Sequence, residues 1–202
     1  MILSQLDIPN LYEIKNFYSQ KDSEKILAKF RSNKKWEHIL QKRSKHYAHV
    51  FKNNAKSMPD SKEPYLASFW KNNELAKDDF IYKKTYASIK NIFLKDFKIK
   101  DFTIDLRCHK FKRGDYFRIH MDGYAGGYAL TISLNRNWKW DWGGILNIAH
   151  GKNENKLLGL LPSWNSANLL NNYKHPSPHF VTPVRDFALE TRYTITCFIK
   201  TE

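Results

Sequence analysis

Cysteine is scarce in this chain, two in 202 residues, and Cys108 and Cys197 show no Cys-x-x-Cys spacing. That excludes a disulfide framework and suits a reducing compartment, so a cytoplasmic protein is expected. Long apolar runs are missing too. No window approaches the ~18 apolar residues of a membrane span, and Met1-Ile2-Leu3-Ser4-Gln5-Leu6-Asp7 lacks a basic segment followed by an apolar one. Neither a membrane span nor a signal peptide is expected. Acidic residues are outnumbered, 20 Asp and Glu against 34 Lys and Arg, for a formal charge of +14. Such a surplus can mark a nucleic-acid partner. Here the basic residues are spread along the chain and are mostly Lys among many Asn and Ile, so nucleic acid is not an expected partner. Internal repeats and low-complexity tracts are absent. What is present, 42% hydrophobic and 15% aromatic residues, excludes disorder, and the length suits one domain with a real core.

Hydrophobic periodicity divides the chain. Residues 1 to 20 show no clean period, and Pro9 interrupts any early helix. Ile26, Leu27 and Phe30 give one apolar face to a short helix capped by Asp22 or Ser23. Trp36 to Leu40 reads as a short strand, 41 to 64 as a long basic loop able to cover a site, and the aromatic run Tyr65 to Trp70 as packing under or lining an opening. Within the loop, His46 and His49 lack accompanying cysteines or carboxylates and read as loop residues. Residues 78 to 97 form the strongest helix pattern, on Phe80, Ile81, Ile89, Ile92, Phe93 and Phe97.

After residue 100 the period changes from 3.6 to 2. Phe102, Ile104 and Leu106 alternate with Thr103, Asp105 and Arg107; further strands are expected at 116–120, 128–134, 143–148, 156–161, 166–170, 180–184 and 192–199. Eight short strands with turn signals between them predict a closed or sandwiched antiparallel structure. The expected organisation is one structural domain, with 1–100 a helical and loop annex supporting a β core over 101–202.

In the strand ending Arg118-Ile119-His120-Met121-Asp122, the period of two puts His120 and Asp122 on one face. A third ligand must come from elsewhere. His179, opening the strand-like Phe180 to Val184, is preferred over His150, beside Gly151-Lys152, and over His175, in a polar run before Pro176. Two histidines and a carboxylate on adjacent positions of an octahedron suit non-haem Fe(II) and leave three positions open. On the last strand Arg192, Thr194 and Thr196 share a face, and a guanidinium fork matches a carboxylate as a lysine cannot.

His120-x-Asp122, Trp142-Gly143-Gly144-x-Leu146, Pro162-x-x-Asn165, His179-x-Val181-x-Pro183-Val184 and Arg192-Tyr193-x-Ile195-Thr196 occur in that order. Together they resemble the 2-oxoglutarate and Fe(II)-dependent oxygenases, and within them the prolyl-4-hydroxylase-like branch, over roughly 102–199, about half the chain. The resemblance implies a mainly β fold, a double-stranded β-helix or jelly-roll core packed against N-terminal helices. His120, Asp122 and His179 would hold Fe(II). Arg192 would take the distal carboxylate of 2-oxoglutarate, helped by Thr194 or Thr196, with Tyr116 near the cosubstrate. One departure is the interval from His179 to Arg192, longer than in the closest animal prolyl hydroxylases, so Arg185 to Glu190 should form a longer turn.

The implied chemistry consumes dioxygen and 2-oxoglutarate, with ascorbate as an accessory, and hydroxylates a C–H bond. A prolyl residue of a protein or peptide is the first substrate expectation, and Tyr124, Tyr128, Trp138, Trp140 and Trp142 could line its groove or serve as core and loop anchors. A free amino acid or other small molecule comes second. Nucleic-acid demethylation is disfavoured because Arg192 to Lys200 contains no second arginine. A non-catalytic β-helix binding module is the contrary reading, and the intact ligand set argues against it.

Overall fold

The computed structural model describes residues 1–42, 65–122, 127–150, 155–173 and 177–201. The expected loop over 43–64 with His46 and His49, and the individual residues Tyr124 and His175, lie outside the described residues. Twelve strands join one antiparallel sheet: β1 (Ile2–Gln5), β2 (Leu11–Lys15), β3 (Glu37–Lys42), β4 (Tyr65–Lys71), β5 (Phe102–Phe111), β6 (Tyr116–His120), β7 (Tyr128–Ser133), β8 (Leu146–His150), β9 (Lys156–Leu160), β10 (Ser166–Asn171), β11 (His179–Val181) and β12 (Arg192–Thr201). The order is β1-β2-β10-β7-β12-β5-β4-β6-β11-β8-β9, with β3 on β4.

The sheet curls on itself into a double-stranded β-helix. An inner core, including Phe111, Ala129, Leu146, Ile148, Leu170 and Val181, draws residues from both sides of the curl. The outer face of β5, β7, β10 and β12 presents Leu106, Cys108, Leu130, Ile132, Ile195 and Cys197 to the helices α1 (Gln20–Ser32) and α3 (Asp79–Ile92), which bury Ile26, Leu27, Phe30, Ile81 and Ile89 against it. Alternation along each strand sends odd and even side chains into these two cores, so strands sandwiched between them look almost wholly apolar.

Several local expectations change. The first hundred residues, expected as helices and loops with one short strand at Trp36 to Leu40, supply β1, β2 and β4 to the sheet besides β3, which lies where that strand was expected. In β1 and β2 burial is carried by isolated residues such as Ile14, so no period shows in so short a run. Helix α1 starts one turn earlier than its apolar stripe: Ser19, not Asp22 or Ser23, is the cap, its Oγ accepting from Asp22 N at 3.1 Å. The long helix is α3, capped by Asp78, followed by a π-helical turn at Phe93–Phe97 that Lys98 ends at φ +60°. Between them, α2 (Asn73–Ala76) is a single turn beside β5. Asn165 adopts φ +50° and clasps the chain end of β2, donating to Tyr18 O at 2.8 Å and accepting from Tyr18 N at 2.9 Å. That clasp gives the Pro162-x-x-Asn165 signature a structural role.

Candidate metal centre

The two sides of the curl meet at the ligand candidates. His179 on β11 stands directly opposite His120 on β6, ring centroids 4.3 Å apart. Asp122 follows just past the end of β6, Oδ2 3.4 Å from His179 Nε2 and Oδ1 3.7 Å from His120 Nε2. One ligand atom from each of the three lies within 4.8 Å of the others, and this is the only such His, Cys, Asp or Glu group among the described residues. His150, at the end of β8, is not part of it.

Each imidazole is oriented by its own backbone. His120 Nδ1 contacts Arg118 O at 2.8 Å and His179 Nδ1 contacts Ser177 O at 2.9 Å. A carbonyl oxygen only accepts, so both Nδ1 atoms carry the proton and a neutral ring offers its Nε2 lone pair to the shared point. Burial, reinforced by neighbouring His179, lowers the pKa of His120 to about 3. Burial would raise Asp122, but His179 and then His120 outweigh it and hold the carboxyl below its ordinary range. For His179 burial works downward and Asp122 overrides it, so its pKa is raised. His179 and Asp122 favour each other's charged form, and a divalent cation would take over the proton's role between them.

Across a cavity of about 160 Å³ from these ligands lies Arg192, only 2% exposed. Its guanidinium sits 4.8 Å from the Phe111 ring centroid, and burial lowers its pKa to about 10. Arg192 Nε and Thr194 Oγ1 are both buried with no hydrogen-bond partner among the described residues. A buried guanidinium with orphaned donors is costly unless an anion meets it. Thr196 lines the same cavity, opposite Thr131 on β7. A small dicarboxylate fits this chemistry: one end for the arginine and the hydroxyls, the other for a cation held by His120, Asp122 and His179.

The arginine has room because of the Gly143-Gly144 turn. Both glycines have positive φ, and a Cβ on Gly144 would lie 3.2 Å from Arg192 Cδ. Trp138 anchors the turn by donating from Nε1 to Gly143 O at 2.8 Å. Trp138 and Trp142 are therefore core, packed edge-to-face at 5.4 Å, and Tyr128 is core as well; of this expected groove set only Trp140 is exposed among the described residues. The Arg185–Glu190 segment is tied at its ends, Arg185 N to Trp142 O and Arg113 Nε to Ala188 O.

Tyr116 does not reach the cavity; Phe117 does. On β11 Val181 pairs Phe117 while His179 pairs His120, so two residues oppose three and β6 carries a bulge. The bulge reverses the faces, and Phe117 stacks 4.2 Å from the His120 ring. Sequence reasoning also missed His109, which lines the cavity opposite Thr194 and meets Phe69 edge-on at 5.0 Å. The signal was available: the alternation ending at Arg107 continues through His109 and Phe111. Burial, with Arg107 and Arg192 adding to it, lowers the pKa of His109 to about 3.

The model of the family described as 2OG-Fe(II) oxygenase superfamily matches residues 106–200, which include His120, Asp122, His179 and Arg192. No curated protein matches the chain by sequence. Among solved structures, a Pseudomonas putida prolyl-4-hydroxylase aligns with a TM-score of 0.58 at 12% identity, over 96% of this chain and 93% of that one. A Trichoplax adhaerens prolyl hydroxylase in complex with a hypoxia inducible factor peptide fragment aligns at 0.61 and 17%, over 98% and 86%. The 2OG complex of a viral collagen prolyl hydroxylase from Paramecium Bursaria Chlorella virus-1 aligns at 0.59 and 12%, over 98% and 100%. The buried arginine, the His-x-Asp…His cluster and the family match agree: residues 106–200 belong to the 2OG-Fe(II) oxygenase superfamily, and the protein is an enzyme that works with Fe(II) and 2-oxoglutarate on a fold shared with prolyl hydroxylases.

Proposed function

We propose that this enzyme hydroxylates a prolyl residue of a protein or peptide, with Fe(II) held by His120, Asp122 and His179 and the distal carboxylate of 2-oxoglutarate held by Arg192, Thr194 and Thr196. One observation carries the site assignment: a three-ligand cluster and an orphaned, buried guanidinium occupy opposite ends of one small cavity. When bound, Fe(II) and 2-oxoglutarate supply dioxygen activation, the cosubstrate leaving as succinate and carbon dioxide while one oxygen atom ends on the substrate carbon.

The chain's own part is to position and to exclude. Arg118 and Ser177 carbonyls fix the tautomers of the two imidazoles so that both present Nε2. Arg192 and the threonine hydroxyls orient the cosubstrate by its far end, converting an orphaned donor set into a charge-assisted hydrogen-bonded one. Phe69, Phe111 and Phe117 wall the cavity and keep water from it. No side chain needs to act as general acid or base.

The polypeptide substrate is supported by the fold shared with prolyl hydroxylases, one of them solved with a peptide bound. Two buried, free thiols suit a cytoplasmic setting, and no helix among the described residues is long and apolar enough to cross a membrane. Anaerobic titration of Fe(II) into the protein with 2-oxoglutarate should raise the weak visible band of the chelated cosubstrate. Its presence in Asp122→Ala would refute the ligand assignment. With ascorbate present, succinate release stimulated by proline-containing peptides supports the substrate reading; stimulation by free amino acids alone refutes it.

A further inference from the structure

Among the described residues, strand β5 has one open edge beside the mouth of the cavity. On one side it pairs with β12 without interruption from Phe102 to Phe111. On the other, β4 reaches only Lys110 and His109. Cys108 O accepts from Asn72 N at 3.0 Å, so that carbonyl points to the open side. In a strand, residues two apart present their N–H and C=O to the same side, and the unbroken register with β12 keeps this parity along β5. Ile104 and Leu106 therefore direct their backbone polar groups away from β12, and no described strand pairs with them there.

A groove of about 800 Å³ runs along this edge, between β5 and the turn of α2 with Tyr82 of α3. It shares Phe69, Arg107 and His109 with the cavity that holds the metal ligands, so the two adjoin. Its charge is cationic: Lys71, Lys77 and Arg107 against Asp105 alone. Arg107 pairs with Asp105 at 2.7 Å and Lys71 with Glu37 at 3.2 Å, both exposed pairs that an incoming carboxylate can displace at little cost. Lys77 makes no ion pair among the described residues.

We propose that this edge docks an extended, acidic segment of the polypeptide substrate as an added strand, delivering the neighbouring residue to the metal cavity. The inference rests on the polypeptide reading and adds to it a place and a sequence preference. Backbone bonds to Ile104 and Leu106 would supply affinity, and alternate side chains would fall on the Arg107 side and on the Lys77 side. Carboxylates on the added strand complement both walls, and lysines there would be repelled.

The test uses the full chain with Fe(II) and 2-oxoglutarate, without oxygen, and fluorescein-labelled octapeptides of alternating Val-Glu or Val-Lys. Anisotropy should show the Val-Glu peptide binding at least ~10-fold tighter than the Val-Lys peptide. Ile104→Pro removes an outward N–H from an edge, together with the packing of the Ile104 side chain on the outer core, and should weaken Val-Glu binding by about 10-fold. Lys77→Glu should weaken it by roughly 3-fold or more while both variants keep the 2-oxoglutarate band. Equal affinity for the two peptides, or unchanged affinity in Ile104→Pro, overturns the proposal. Should Ile104→Pro lose the band and so the fold, amide exchange of the wild type decides: protection of Ile104 and Leu106 by the Val-Glu peptide supports the added strand, and unchanged rates overturn it. Hydroxylation of peptides with the same KM in wild type and Ile104→Pro overturns the groove alone. Absence of turnover with any polypeptide overturns the substrate reading itself.

Discussion

The two walls of the cavity are built differently. On one, β12 is clamped along its length, ten positions against β5 and six against β7, and Arg192, Thr194 and Thr196 follow one another into the cavity in strict alternation. The opposite wall is short and irregular: β11 has three residues, and β6 bulges against it. Residues two apart on a regular strand sit about 6.6 Å apart, so bringing three ligand atoms within a few ångströms needs a strand that bends or ends. The regular wall holds a long arm at a fixed depth, and the irregular one gathers ligands to a point. Their electrostatics differ as well. On the ligand wall the side chains have protein partners, Arg118 O for His120, Ser177 O for His179, and Asp122 beside His179 at 3.4 Å. On the arginine wall, Arg192 Nε and Thr194 Oγ1 have no hydrogen-bond partner among the described residues.

Removing the ligand wall should have the largest effect. Asp122→Ala and His179→Ala should each lower succinate formation by more than ~100-fold, since a facial site with one ligand gone loses its metal. Far-ultraviolet dichroism should be unchanged, and retained turnover in both would break the contrast. On the other wall, Arg192→Met should raise the KM for 2-oxoglutarate by roughly 10- to 100-fold, the ~1.5–3 kcal/mol of a charged hydrogen bond. Arg192→Lys should recover little of this, because an ammonium lacks the fork. With 2-oxoglutarate absent, Arg192→Met should melt no lower than wild type, because an unpaired buried charge has been removed.

Gly144→Ala probes the space the arginine needs. At φ +62°, with its new methyl against Arg192 Cδ, it should cost about 1 kcal/mol in urea unfolding and weaken 2-oxoglutarate several-fold.

Acid should weaken the metal-free fold through histidines kept neutral. His109 and His120 have folded pKa values of about 3 against an ordinary 6.5. Their unfolded forms take up protons first as the pH falls, so stability is fully present above about 6.5 and is lost progressively toward 3. His179, raised, acts in the opposite sense. The urea midpoint should therefore fall between about pH 7 and about pH 5, and fall less in His109→Gln. Smallest of all, Tyr116→Phe should leave the 2-oxoglutarate KM within about 2-fold, whereas Phe117→Ala should change it visibly.

Legibility in the sequence tracks the same division. Where the ladder is continuous, a period of two read from residues alone puts Arg192, Thr194 and Thr196 on one face correctly, and would have added His109 had the strand been followed past Arg107. Where β6 bulges, the family resemblance points to Tyr116, and it is Phe117 that lines the cavity. A bulge has no composition signal, because it is imposed by the partner strand. Strands β1 and β2 were unreadable for a related reason: β1 lies on β2, and the pairing of β2 with β10 is decided by residues about 150 positions away in the chain. The tryptophans of 138–142 were ambiguous between groove and core, and burial decided for core at Trp138 and Trp142.

The sequence by itself determined which chemistry was available: two histidines, a carboxylate and an arginine, each on a strand or just past the end of one. Only the tertiary structure decided that they share one small cavity and that, among the described residues, Arg192 Nε has no hydrogen-bond partner there and the edge of β5 is open beside it. The reason is physical. Alternation is a local property of the backbone, whereas ligand distances, orphaned donors and open edges depend on which strands become neighbours when the sheet closes.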